Sequence, residues 1–256
     1  MSRRHGWYLL LSAALALGAC DKGGGVPALT TAQGMASGNG EAFRLVYLER
    51  EPGIQPYRSR YIVNARYLRI DDEDQNGDFM LFDRRREIIF SVSSGNRSIL
   101  EIRRHEKGGE PPRELSIHKE RLPLEGAPDI GGREALFHRY AVNGETCLEQ
   151  VAVPDLAPAM VEALKEFRDV LSGEHRRMVP FTPADMQKPC DLARHAFHTE
   201  RFMEHGLPLR EWDPAGTGRE LVSMDPGFDA DPALFELPAG YRTMTMASLA
   251  GGPDHE

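Results

Sequence analysis

The sequence predicts an α+β domain built on an antiparallel β-sheet, behind a secretion signal and a flexible tether. Three observations carry that prediction. From Ala42 to Ile117, short runs of alternating apolar and polar residues recur roughly every ten positions between Gly, Asn and Pro turns, the pattern of antiparallel strands with one buried face. After Pro154 the apolar period becomes helical. With 256 residues, 41% hydrophobic and 27% charged, the chain is long enough for a real core and too polar to span membranes repeatedly.

The N-terminus comes first. Arg3, Arg4 and His5 form a basic head before the apolar run Trp7 to Leu17. That run falls well short of the roughly 20 residues of a spanning helix and fits a secretory signal. Leu17-Gly18-Ala19-Cys20 looks like a bacterial lipobox. Gly18 and Ala19 are small enough to enter a peptidase cleft, and the Cys20 thiol would take a diacylglycerol. The alternative is an ordinary signal followed by an accidental cysteine. On the first reading residues 1–19 are the signal, and residues 20–41, rich in Gly, Ala, Ser and Thr, are a tether with a reach of roughly 25 Å. The expected location is the periplasmic side of the bacterial envelope, held to a membrane by lipid. Asp21 resembles the inner-membrane retention signal of enterobacterial lipoproteins, which favours that membrane and leaves the outer one open.

Strands are expected at Phe43–Leu48, Tyr57–Val63, Tyr67–Ile70, Phe79–Phe82, Ile88–Val92 and Ile99–Ile102, with a weaker one at Leu115–Ile117. Leu136–Val142 and Thr146–Val153 flank Asn143-Gly144, the strongest short hairpin signal in the chain. A helical insertion is expected over about 155–206. Met160, Leu164, Phe167 and Leu171 mark its first helix, with Gly173 as the stop, and a second helix runs from about Cys190 to His205. Leu207–Trp212 and Arg219–Met224 form a last hairpin, Phe235 to Tyr241 packs back on the sheet, and residues 247–256 are a disordered tail.

The strand-turn-strand passage Tyr61 to Ile70, running on to Asp78–Asp83, and the closing Phe235-Glu236-Leu237-Pro238-Ala239-Gly240-Tyr241 together resemble the LolA/LolB-like superfamily of periplasmic lipoproteins and carriers. Over residues 42–246 the resemblance implies a curved antiparallel half-barrel wrapped around a few helices and enclosing an apolar cavity. It also implies an acyl chain or other lipid as ligand. Ile88, Phe90 and Val92 on one strand, with Leu100 and Ile102 on the next, are then the expected cavity lining.

Several further constellations bear on chemistry. Asp72 to Asp83 nearly spells an EF-hand loop, with Asp72, Asp74 and Asn76 as oxygen ligands and Gly77 at the turn. Asp83 stands where a bidentate Glu is usual, and the flanks read as strands, so a polar hairpin turn is the plainer reading. Cys147 and Cys190 are the thiols left after lipidation; in an oxidising compartment they form a disulfide, the alternative being two unpaired thiols. His195 and His198 stand i,i+3 on the second helix, without a full metal-ligand pattern, and no metal or cofactor is expected. Arg84-Arg85-Arg86 is a solvated turn or a contact for anionic headgroups.

The formal charge of −8 argues against nucleic acid as a partner. Neither a Gly-x-Ser-x-Gly elbow nor a phosphate loop occurs, so no catalytic residue is assigned and binding is favoured over catalysis. The expected function is a lipid-anchored envelope protein that binds an apolar ligand or an envelope partner. A sensor or regulatory interaction module with a filled core is the rival, and a hydrolase with dispersed catalytic residues the third.

Overall fold

A computed structural model describes residues 41–74, 77–105, 109–126 and 129–249. The signal, Cys20, the tether, residues 75 and 76 of the Asp72–Asp83 loop and the final residues 250–256 lie outside them.

Among the described residues twelve strands form one sheet: β1 (Glu41–Arg50), β2 (Tyr57–Val63), β3 (Tyr67–Asp71), β4 (Phe79–Asp83), β5 (Ile88–Ser93), β6 (Ser98–Arg103), β7 (Ile117–Leu122), β8 (Leu136–Val142), β9 (Glu145–Val153), β10 (Leu207–Trp212), β11 (Gly218–Asp229) and β12 (Arg242–Thr245). Their order is β12-β6-β5-β4-β3-β2-β1-β11-β10-β9-β8-β7, two meanders joined where β1 pairs with β11. The Asn143-Gly144 turn does what its residues dictate. Both φ angles are positive, 53° and 84°, as a tight hairpin turn requires.

The sheet is not the curved half-barrel that the LolA/LolB resemblance implies. It is open, with β12 and β7 at opposite edges, and not strongly curled; it is also mixed, because β12 runs parallel to β6. Part of the reason lies in what covers it. A half-barrel presents a wet convex face, whereas the β3–β6 region carries apolar layers on both faces. Inside, Leu68, Ile70, Phe82 and Ile89 join the main core beneath α1 (Pro158–Met178). Outside, Leu81, Ile88, Phe90, Val92 and Ile99 are buried with Phe235 and Tyr241 of the C-terminal segment against them. Phe235 stacks on Tyr67, ring centroids 5.7 Å apart.

Helix α1 buries Met160, Val161, Ala163, Leu164, Phe167 and Val170 against the inner face. It runs through Gly173, the expected stop, because that glycine is a packing site: a Cβ there would lie 3.4 Å from the Cβ of His105. Arg176 and Arg177 sit in the last turn, where cations oppose the helix dipole favourably. The single second helix expected from Cys190 to His205 is instead a short turn at Pro189–Asp191, a π-helical stretch at Leu192–Phe197 and a 3₁₀ segment at Thr199–Met203. His198, at φ −137°, breaks the run. The Arg84 side chain is not solvated either. It reaches α1 and donates to both Glu166 oxygens, at 2.6 and 3.0 Å.

Candidate functional site

A row of polar side chains crosses the inner face at right angles to the strands. Tyr57 lies opposite Glu49, Glu49 opposite Arg219, and Arg219 opposite Glu211. The row continues from Glu211 to Gln150, His138 and Arg121. Directly opposed residues of neighbouring strands share a face, so the register alone puts all seven on one side. Its middle is buried: Gln150 is 0% and His138 4% exposed. Leu207 and Leu209 precede Glu211 at period two, and Leu221 follows Arg219. An acid and a base thus occupy the inward positions of an otherwise apolar hairpin.

Between this row and the helical segment lies a cavity of about 220 Å³. One wall is apolar, with Leu148, Leu164, Phe167, Leu171 and Phe202. The other holds Tyr61, Arg219 and Glu211 from the sheet, Arg168 and His175 from α1, and Arg194, His195 and Thr199 from the segment beyond it. Arg219 Nε meets Glu211 Oε1 at 2.9 Å, its Nη1 donates to the Tyr61 hydroxyl at 3.1 Å, and its guanidinium lies over the Tyr47 ring. Glu211 Oε2 accepts from Gln150 Nε2 at 3.0 Å. Arg168 approaches Glu211 Oε1 only to 3.7 Å, and Arg194 donates to the Cys147 carbonyl at 3.2 Å. A second cavity of about 320 Å³, lined mostly by charged groups of both signs, shares Arg168 and Thr199 with the first.

The electrostatics follow from burial and crowding. Burial alone would raise the Glu211 carboxyl, but Arg219, then Arg168, outweigh it and hold that group at about 2. Burial lowers the His195 imidazole to about 3, with Arg194, His175 and Arg168 adding repulsion. His195 is therefore neutral at pH 7. Burial also lowers Arg168, and the Glu211 charge only partly offsets it.

The sequence-derived candidates are scattered by comparison. Cys147 and Cys190 are joined in a disulfide, which ties β9 to the start of the helical run beside the cavity. The expected lining set does not share a face. Val92 pairs with Ile99, and Ile89 with Ile102, so Ile88, Phe90 and Val92 belong to the outer layer whereas Ile102 packs toward α1. Leu100, half-buried and opposite Ser91, has the parity of Ile102. A one-residue offset between neighbouring strands was enough to divide the set. Cys20 lies outside the described residues. His195 faces the cavity, while His205 turns the other way onto His138. Among the described residues no three His, Cys, Asp or Glu side chains converge as metal ligands. Of the Asp72–Asp83 stretch, Phe79–Asp83 is strand β4, paired antiparallel with β3.

Sequence reasoning missed the arginines and Glu211 because they come from four separate elements with no spacing motif. The one readable signal was the Glu211–Arg219 pair at inward positions of the last hairpin.

Two crystal structures of PNGF-II, in space groups C2 and P21, are similar to this chain at TM-score 0.38, with 14% and 13% identity. Each match covers 82% of this chain and 32% of that one, so this chain spans about a third of the PNGF-II structures. At that TM-score the likeness carries no argument about fold or activity. No family model and no curated protein matches the sequence.

Proposed function

We propose that this protein is a membrane-tethered envelope protein that binds a small, apolar-bodied ligand between α1 and the sheet. The observation that carries the reading is the cavity of about 220 Å³ with its wall of Leu148, Leu164, Phe167, Leu171 and Phe202. Apolar walls with a few converging polar groups are the usual make-up of a ligand pocket. An apolar cavity of about 150 Å³ holds one benzene ring, so this volume suits a body of roughly six to ten heavy atoms. That is short of a long acyl chain, and it narrows the ligand from lipid to a smaller molecule. The tether and its lipid anchor rest on the basic head, the apolar run and Leu17-Gly18-Ala19-Cys20. Among the described residues no helix is long and apolar enough to cross a membrane.

The rival, an interaction module with a filled core, is favoured by the way α1 packs over the inner face. Thermal melts of the full-length chain with a panel of small apolar-bodied compounds separate the two. At least one compound should raise Tm by several degrees in wild type and lose that effect in Leu171→Trp, which fills the cavity. No shift from any of them would favour the interaction module.

A further inference from the structure

We propose that the ligand of this cavity is a small organic monoanion, a carboxylate on a short apolar body, held by Arg168 with Arg194 and Arg219 around it. This deepens the ligand-binding reading above and rests on it.

The balance of charge in the cavity favours an anion. Three guanidiniums line the cavity and one carboxylate, Glu211, faces them. The nearby acids are already engaged. Asp213 lies 3.5 Å from Arg194, and Glu49 accepts from Ser59 and Tyr61 and does not line the cavity. Burial also pushes the Glu49 carboxyl up, toward its neutral form. With Glu211 set against Arg219 and Asp213 against Arg194, Arg168 is left as the excess cation of the site, in a chain of formal charge −8.

Hydrogen-bonding capacity points the same way. Arg219 is only 9% exposed, and its Nη2 is buried without a hydrogen-bond partner among the described residues. Among the described residues Arg168 has only the 3.7 Å approach to Glu211, beyond hydrogen-bond distance. A guanidinium is a planar fork that matches a carboxylate with two parallel N–H···O bonds. Leaving such donors unmade in a partly buried site is costly, and an anion would remove that cost. With its side chain 28% exposed, Arg168 can be reached from solvent. The apolar wall then favours a carbon body over a bare inorganic anion. His195, neutral and beside Arg194, can donate or accept one further hydrogen bond.

Calorimetric titration of the full-length chain with hexanoate, 1-hexanol and inorganic phosphate tests this. Hexanoate should bind at least tenfold more tightly than hexanol or phosphate. Arg168→Gln should weaken hexanoate at least tenfold and leave hexanol unchanged. Leu171→Trp, which keeps every charge, should weaken both organic compounds. Equal binding of hexanol and hexanoate, or full hexanoate affinity in a folded Arg168→Gln, would overturn the anion assignment and leave the ligand-binding reading standing. Phosphate binding as tight as hexanoate would overturn the apolar-body part alone. If none of the three compounds binds wild type, the anion assignment falls; if the thermal panel is also silent, the ligand-binding reading falls with it.

Discussion

The imidazoles of His138 and His205 are stacked face to face, ring centroids 3.7 Å apart and planes within 7° of parallel. His138 Nδ1 is buried without a hydrogen-bond partner among the described residues, and Lys119 is ion-paired with Glu204 beside the pair. Stacked rings this close cannot both be cations at low cost. Burial lowers His138 to about 4, with His205, Lys119 and Arg121 adding repulsion that Glu204 only partly offsets. Burial lowers His205 as well, with Lys119 adding to it.

The consequence is loss of stability in mild acid. Both folded-state values lie below the ordinary 6.5, so between pH 6.5 and about 4 the unfolded chain takes up protons that the folded chain refuses. The stability is full above pH 7 and falls with pH through that window. Urea unfolding should show a drop of about 4 kcal/mol between pH 7 and 4.5, about half from the His138 pair and half from His195, which burial lowers to about 3. His138→Phe keeps the stack without that titration and should remove about half of the drop, His195 supplying the rest. The separate loss from Glu211, lowered to about 2, should appear only below about pH 4.5. An equally steep slope in His138→Phe would place the titration elsewhere.

The Cys147–Cys190 bond closes a separation of 43 residues that contains the whole of α1. Replacing both cysteines by alanine should cost about 3 to 4 kcal/mol in the chain-entropy account. Hydrogen exchange should quicken most over the π-helical stretch Leu192–Phe197, which starts two residues after Cys190 and carries His195 into the cavity. A loss under about 1 kcal/mol would mean that the unfolded loop is already ordered.

Most of the sheet was legible in the sequence, because period-two alternation and turn residues act locally. Tyr57–Val63 and Leu136–Val142 stand where the alternation put them. The curl of the sheet was not legible, since alternation says which side of a strand is buried and nothing about how far neighbours bend. The strand β12 has only four residues and pairs in parallel with a strand nearly 150 positions earlier (Arg242 with Ser98), so no local pattern announces it. The break at His198 depends on tertiary packing: Phe202 is buried with Tyr140, while His195 turns to the cavity. The arginines around Glu211 were invisible for the same reason.

Cys20→Ser should leave the chain unlipidated and release it from membranes, because the apolar run before it is too short to span. Metabolic labelling with a fatty acid should tag wild type and not the variant. Label on both would refute lipidation at Cys20.

Phe90 separates the two faces of the sheet. It is 4% exposed in the outer layer, with Leu81, Ile88, Val92 and Ile99 around it and Phe235 and Tyr241 above. On the half-barrel expectation it would line a partly empty interior, and its truncation would be cheap. In the observed packing it has neighbours on every side, so Phe90→Ala leaves a void and should cost roughly 3 to 5 kcal/mol. The cavity lies on the opposite face, walled by residues such as Leu164 and Phe167 of α1. Ligand affinity should therefore stay within about twofold of wild type at temperatures where the variant is folded, as expected for distant, independent sites. Leu171→Trp should behave conversely, with stability little changed and binding lost. A Phe90→Ala variant of near-normal stability that binds poorly would put the ligand on the outer face instead.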